Sequence, residues 1–403
     1  MSSVRAISSK SEAHRLLICA ALGDRACRIT CTDTNADIDA TAACLNALGA
    51  DIKRLEDGFE VHPISLVNQN AILNCNESGS TLRFLLPLVA SLGVDCSFSM
   101  RGRLAERPLS PLYELLSENR VKLGQKGSNP LLVSGKLSSG CYSVAANVSS
   151  QYISGLLFAL SIADGNSRLV LEGNIESSPY IDMTVDALRA FGAEIDYDEK
   201  AQTFEIRGKK RLHSPESLKV GGDWSNAAFF ITAGVIGKKA ITVEGLDINS
   251  RQGDKRIIAV LRRMGANILC DGDSVTALPS KLSAARIDAA DIPDLVPILA
   301  TAASVADGET VIFNASRLRL KESDRIESVR SILSSLGASI SATDDGLIIR
   351  GKNTLFGGTV DSFNDHRIAM SAAVASLVCE NAVTVTNFEA INKSYPSFAD
   401  NWE

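Results

Sequence analysis

Leu48-Gly49-Ala50, Phe191-Gly192-Ala193, Met264-Gly265-Ala266 and Leu336-Gly337-Ala338 repeat one phrase: a bulky apolar residue, Gly-Ala, then a strand pattern. The last three recur at intervals of roughly seventy residues, which is one supersecondary unit per copy. The first and second stand two periods apart, and Asn119-Arg120-Val121 is a degenerate copy between them. The chain is therefore predicted to be a six-fold array. Equivalent loops of an array fall on one face, so polar residues scattered along the sequence can be gathered into one site.

Each copy opens with polar residues and continues as an apolar run of small residues. The openings are Lys10-Ser11 (to residue 22), Ser78-Gly79-Ser80 (to 92), Ser149-Ser150-Gln151 (to 162), Asp223-Trp224-Ser225 (to 236), Ile292-Pro293-Asp294 (to 305) and Asn364-Asp365-His366 (to 378). Ser, Asp or Asn ahead of Ala and Leu is a helix start. Runs apolar nearly all round predict helices buried inside the domains. A β-branched strand follows (240–243, 310–313), then a polar loop, an amphipathic helix (256–263, 326–336), the Gly-Ala turn and two short strands (338–340, 346–350). The predicted unit is αβαββ, three per domain. The sixth copy reaches Glu403 before its Gly-Ala turn, and residues 4–7 form an orphan strand before the first copy. That strand is expected to pack on the C-terminal half. The second domain is then discontinuous, 1–10 plus 220–403, beside a first domain of 11–219, with crossings near Lys10 and Lys219.

Composition narrows the function. At 403 residues the chain is too long for one core. A formal charge of -6 argues against a nucleic-acid or anionic-membrane binder, which needs a broad positive face. The nine cysteines are scattered, without a C-x-x-C pair, and several (Cys19, Cys44, Cys379) lie in apolar helix-like runs; they read as free thiols in a reducing compartment. The four histidines lie far apart, so no metal site is expected. Residues 16–22 are too short, and lack the cleavage site, to be a leader, and no apolar run approaches the length of a spanning helix. A cytoplasmic protein is expected.

Two places in the unit collect ligand-like residues. One is the start of the buried helix, whose N–H groups and dipole favour anions. The other is the loop after the first strand, carrying Arg103 with Glu106-Arg107, Ser177-Ser178-Pro179-Tyr180, Lys321-Glu322-Ser323-Asp324-Arg325 and Lys393-Ser394-Tyr395-Pro396. Each has a plain reading: residues 321–325 as a solvated charge run, Arg15 and Arg83 as snorkelling side chains, His366 as a cap. Recurrence argues against these, because caps alone would repeat Ser or Asp rather than vary the chemistry from copy to copy. Lys10, Arg15, Arg103, Arg325, Arg367 and Lys393 suit substrates bearing phosphate and carboxylate groups. Ser11, Ser149, Ser150 and Ser177 offer hydroxyls, and Asp294 and Glu322 are candidate proton carriers. Two anions within ~4 Å repel by about 4 kcal/mol per charge pair at an effective dielectric near 20, which convergent cations can offset. No P-loop or G-x-G-x-x-G follows a strand, so nucleotide binding lacks a motif.

Ser9-Lys10-Ser11 with Arg15, Glu77-Ser78-Gly79-Ser80-Thr81-Leu82-Arg83, Arg103 with Glu106-Arg107-Pro108, Ser149-Ser150-Gln151, Leu320-Lys321-Glu322-Ser323-Asp324-Arg325 and Asn364-Asp365-His366-Arg367 run in this order over nearly the whole chain. Together they closely resemble the 5-enolpyruvylshikimate-3-phosphate synthases. The resemblance implies an α/β fold of two inside-out barrel domains, working without metal or cofactor. It implies transfer of the enolpyruvyl group of phosphoenolpyruvate to the 5-hydroxyl of shikimate 3-phosphate, on the route to chorismate, by a monomer whose partners are small molecules only. By motif, Lys10, Ser11, Arg15, Ser149, Ser150, Gln151, Ser177, Asp294, Arg317 and Lys321 would hold shikimate 3-phosphate, with Tyr180 alongside. Lys10, Gly79, Arg103, Gln151, Arg325, Arg367 and Lys393 would hold phosphoenolpyruvate. Asp294, Glu322 and Lys10 would be catalytic, and Gly79 implies inhibition by glyphosate. Two residues depart from the family pattern. Glu77 stands where Asn is common and is expected to point away or pair with an Arg, and Arg317 stands where Asn is often found. The fold is shared by the UDP-N-acetylglucosamine enolpyruvyl transferases, which carry a reactive Cys or Asp after a donor-site Arg, but residues 99–111 contain no Cys and the Lys-Glu-Ser-Asp-Arg block favours the first family. RNA 3′-phosphate cyclases are disfavoured by the acidic charge, and a binding scaffold would leave the repeat-equivalent charges unexplained. The fourth copy (Asp223-Trp224-Ser225, Asn249-Ser250-Arg251-Gln252) receives no ligand role and reads as hinge and wall.

Overall fold

The structure, a computed structural model, describes residues 2–402. It divides into two compact units, one of Ser8–Val220 and one joining the N-terminal residues through Ile7 to everything from Gly221 onward. Each unit has its own apolar core.

The helices are α1 (Lys10–Ala21), α2 (Ala36–Ala47), α3 (Gly79–Leu92), α4 (Leu112–Glu118), α5 (Ser150–Ser161), α6 (Ser178–Ala190), α7 (Trp224–Ile236), α8 (Ile257–Arg263), α9 (Val296–Ala303), α10 (Arg325–Ser335) and α11 (His366–Ala375). The odd-numbered ones are the small-residue runs and are buried nearly all round. In the sixth copy, the short 3₁₀ segments Phe388–Lys393 and Pro396–Phe398 follow the strand where other copies have an amphipathic helix.

The sheets correct the predicted unit. In the second copy, Ala71–Asn74 pairs in parallel with Cys96–Ser99, and the hairpin of Val121–Leu123 and Leu131–Gly135 completes a four-stranded sheet. The unit is thus βαβαββ, with a leading strand that the αβαββ reading omitted. A strand that feeds a helix and returns as a parallel neighbour is the βαβ crossover, which lays the helix over one face of its own sheet. The first copy takes its leading strand from Ser217–Lys219, at the end of its unit. The fourth takes its from the N-terminus, where Ser2–Arg5, rather than 4–7, pairs with Ile241–Glu244. The sixth sheet holds two strands, Gly358–Asp361 and Val383–Thr386.

Side-chain caps fix where the buried helices begin. Ser9, Ser78, Ser149, Asp223 and Asp365 each accept a backbone N–H from the first turn of α1, α3, α5, α7 and α11. Copy five differs: Asp294 sits in a 3₁₀ turn, Pro293–Leu295, ahead of α9, and its carboxylate is left for other partners. In the Ser8–Val220 unit α3 and α5 approach closely at Gly155, where a Cβ would lie 2.3 Å from the Arg83 carbonyl oxygen and 2.8 Å from Pro87 Cγ. Only glycine permits this crossing. Gly155→Ala is expected to destabilise the protein by about 1–3 kcal/mol in urea denaturation; unchanged stability would show that the helices are not held this tightly.

Candidate active site

In the Ser8–Val220 unit the polar residues gather at the starts of α1, α3, α5 and α6. Arg15 is buried: its Nε donates to Thr184 Oγ1 (2.8 Å), Nη1 to the Ser11 carbonyl (2.6 Å) and Nη2 to the Tyr180 carbonyl (2.8 Å). Burial lowers it to about 10, still protonated at neutrality. It clasps α1 to α6 and is no snorkelling side chain. Lys10 Nζ lies 3.0 Å from Asp37 Oδ2. Beneath them His14 Nδ1, Thr41, Thr81 and the Ser78 hydroxyl form a buried hydrogen-bonded chain across α1, α2 and α3. Burial, with Lys10 and Arg15 nearby, holds His14 neutral.

Gly79 opens α3 beneath two guanidinium groups. A Cβ there would stand 2.4 Å from Arg83 Nη1 and 3.0 Å from Arg107 Nη1. Arg83, also buried, donates to Gln151 Oε1 (3.3 Å) and the Pro108 carbonyl (3.3 Å), and Gln151 Nε2 donates to Ser80 Oγ (3.0 Å). Gly79 and Gln151 are thus brought together at Arg83, with Arg107 beside Gly79. Arg103 is not part of this group: it lies exposed on the 3₁₀ turn Gly102–Glu106, 3.6 Å from Glu106. Glu77 turns onto that segment, so close that a Cβ on Gly102 would be 2.6 Å from its carboxyl. Ser149 caps α5 through the Gln151 N–H, and Ser150 is buried in the first turn. Ser177, also buried, precedes α6 at φ +56°, a left-handed strain for a serine that is characteristic of functional loops.

The other unit is organised around Arg325, at the first turn of α10. Its Nε donates to Asp365 Oδ2 (2.8 Å), Nη1 to Asp294 Oδ1 (2.8 Å) and Nη2 to Glu322 Oε2 (2.6 Å). Arg367 Nη2 meets the second Asp294 oxygen at 3.1 Å, and Lys321 Nζ stands 3.7 Å from the first. Burial works to raise the Asp294 carboxyl, but Arg367, Lys321 and Arg325 outweigh it and hold it far below the usual carboxylate range. For Arg325, burial is opposed and overcome by Asp365, Glu322 and Asp294, so its charge is secure. Asp365 also accepts the Arg367 N–H and the Ser323 hydroxyl. At the rim, Lys393 Nζ donates to the Asn364 carbonyl (2.7 Å) and Arg317 Nη2 to the Ala290 carbonyl (2.7 Å).

The sequence and the architecture match known proteins. The family model described as EPSP synthase (3-phosphoshikimate 1-carboxyvinyltransferase) covers residues 1–402. The chain belongs to the EPSP synthase family. Relatives named 3-phosphoshikimate 1-carboxyvinyltransferase include one from Clostridium novyi (strain NT), 41% identical over 98% of this chain and 93% of the relative. One from Clostridium perfringens (strain SM101 / Type A) is 40% identical over 100% and 94%. An EPSP synthase structure from Acinetobacter baumannii superposes with a TM-score of 0.80 at 25% identity, over 99% of this chain and 94% of that one. The enolpyruvyl transferase NikO from Streptomyces tendae shares the fold, with a TM-score of 0.78 at 19% identity.

Within this EPSP synthase fold, Arg83, Arg107, His14 and Asp365 are the residues the sequence reading left without a role. Asp365 belongs to the Asn-Asp-His-Arg block, but a carboxylate at a helix start reads as a cap, and its second duty toward Arg325 crosses forty residues of chain. Removing one member of a buried ion-pair set leaves the others uncompensated. Arg325→Ala should therefore lose about 3–5 kcal/mol of stability in denaturant titration. A loss below ~1 kcal/mol would mean that the carboxylates are already relaxed by solvent.

Proposed function

We propose that this member of the EPSP synthase family transfers the enolpyruvyl group of phosphoenolpyruvate to the 5-hydroxyl of shikimate 3-phosphate, releasing phosphate. The observation that carries the assignment of roles is the shared guanidinium: Asp294 and Glu322, the two proton carriers, both rest on Arg325. One must accept a proton while the other gives one.

Ser11, Arg15, Ser149, Ser150, Gln151, Ser177, Arg317 and Lys321 take shikimate 3-phosphate, and Tyr180 lines that group. Lys10, Gly79, Gln151, Arg325, Arg367 and Lys393 take phosphoenolpyruvate, and Arg103 joins them only if its turn is drawn in. Arg83 and Arg107 hold the start of α3 in shape. A vinyl carbon is a weak base, so protonation of the phosphoenolpyruvate methylene needs an acid held against it and cations for the developing charge. Glu322, with Lys10 or Lys393 in support, delivers that proton. The 5-hydroxyl oxygen then bonds to C2 as Asp294 takes its proton, giving a tetrahedral phosphate ketal. Loss of phosphate and return of a methyl proton to Glu322 restore the double bond.

In the ligand-free protein Asp294 is a poor base, because the cations that depress it are the ones assigned to substrate anions. An incoming carboxylate on Arg325 and Arg367 draws those charges away and raises Asp294 toward a useful range. The base is thus activated by the substrate it serves.

The defining test is phosphate release from shikimate 3-phosphate and phosphoenolpyruvate by the purified protein; no release from well-folded protein refutes the assignment. Glu322→Gln is expected to lower kcat by at least about a hundredfold with little change in shikimate 3-phosphate affinity, and an equal loss of binding would make its role structural. Glyphosate should compete with phosphoenolpyruvate, since Gly79 leaves no Cβ between the helix start and Arg83. Insensitivity at millimolar inhibitor would place Glu77 or Ser80 in the way.

A further inference from the structure

Lys321 and Glu322 stand on a short loop between the 3₁₀ turn Ser316–Leu320 and α10. Both side chains reach the Arg325 cluster, Glu322 at 2.6 Å from Arg325 and Lys321 at 3.7 Å from Asp294. Ser323, buried beside them, donates to Asp365 Oδ2 (3.1 Å). Arg319, two residues before Lys321, makes a separate set of bonds. Its Nε donates to the Asp344 carbonyl (3.2 Å), Nη2 to the Thr343 carbonyl (2.7 Å) and Nη1 to Asp324 Oδ2 (2.9 Å).

Both anchors of this guanidinium are themselves fixed. Residues 343–346 are the turn of the hairpin Ser339–Ala342 and Leu347–Arg350, closed by the Thr343 N–H on the Gly346 carbonyl (2.9 Å). In that turn the Asp345 carboxylate accepts the Asn314 N–H (3.2 Å), and its carbonyl accepts the Ala315 N–H (2.7 Å). At Gly346 a Cβ would lie 1.9 Å from the Ile312 carbonyl oxygen, so the turn is pressed onto the strand Glu309–Phe313. Asp324 divides its carboxylate: Oδ1 caps α10 through the Glu327 N–H (3.1 Å), and Oδ2 takes Arg319. One planar fork therefore ties the start of the loop to the hairpin turn and to the helix cap at the loop's end.

The identity of the partners separates this tie from the others. Lys321 and Glu322 are paired with Asp294 and Arg325, groups given to substrate above, so those ion pairs must yield as ligands arrive. Arg319 holds two backbone carbonyls and a capping carboxylate, none of them assigned to a ligand. We propose that Arg319 is a positioning residue, a brace that keeps Lys321 and Glu322 in register while their own ion pairs exchange for substrate. This rests on the roles given to Lys321 and Glu322 under the proposed function.

Arg319→Gln removes the brace and is read by turnover and urea denaturation together. The Arg319–Asp324 pair is 35% and 37% exposed, so it adds little stability and the urea midpoint should stay close to that of the wild type. kcat should fall by about 10- to 100-fold, the scale of displacing an aligned group by roughly an ångström. In a Glu322→Gln background the same substitution should cost less than about threefold more, because its effect passes through Glu322. An unchanged kcat overturns the proposal. So does a loss that adds in full to that of Glu322→Gln, or one matched by a collapse of the urea midpoint. Asp324→Asn leaves one oxygen for two partners and should lower kcat in the same direction; an unaffected kcat counts against the brace, and this variant decides if Arg319→Gln does not fold. If the wild type forms no product, it is the function proposed above that fails. Arg319 is then judged by hydrogen exchange of the backbone amides of residues 320–324, where faster exchange in Arg319→Gln supports the brace and unchanged exchange refutes it.

Discussion

The buried Arg325 guanidinium is the constraint on which the Gly221-onward unit depends. It joins the start of α10 to the cap of α11 through Asp365, to the turn before α9 through Asp294, and to its own approach loop through Glu322. A lysine could not make this fork, because one ammonium cannot meet three carboxylates in fixed planar directions. Such a set is expensive to desolvate and only modestly stabilising as a whole. Its effect is geometric: three helix entries, from copies five and six, are held in one register by one side chain.

That register is possible because of how each copy is wound. The leading strand, the buried helix and the returning parallel strand form one crossover, so a helix start and the loop after the next strand lie toward the same edge of their sheet. Residues at those two places come together without any contact between them in sequence. Both units close in the same manner. The first copy borrows its leading strand from Ser217–Lys219, and the fourth borrows its from Ser2–Arg5.

Periodicity made the repeats and the buried helices legible, and repeat-equivalent polar residues pointed to the polar cluster of each unit. The leading strands were not legible, because stretches such as Ala71–Asn74 are only four residues long, too short for alternation to set them apart from loop. Arg83 is not legible as a site residue, because an arginine within an apolar helix reads equally well as snorkelling, and only the fold sets Gln151 against it. Arg319 carried no signal at all. Its Arg-Leu-Arg-Leu-Lys context reads as a solvated charge run, and the Thr343 carbonyl it meets lies 24 residues on, a tertiary fact.

Arg15 and Arg325 are held in different ways, and on the roles proposed above the difference has a consequence for binding. Arg15 and Arg83 are fixed by carbonyls, a hydroxyl and an amide, all neutral. These neutral acceptors fix the two guanidinium groups in place. Arg325 and Arg367 are fixed by carboxylates, so their charge is already answered. An anion arriving there must displace Asp294 from its partners, and a displaced carboxylate in a low-dielectric site gains affinity for a proton. On the roles proposed above, anion binding at Arg325 and Arg367 is coupled to proton movement through Asp294. In the proposed reaction, where a proton leaves the hydroxyl only once both anions are in place, that coupling keeps Asp294 inactive as a base until the substrate anion draws its cations away.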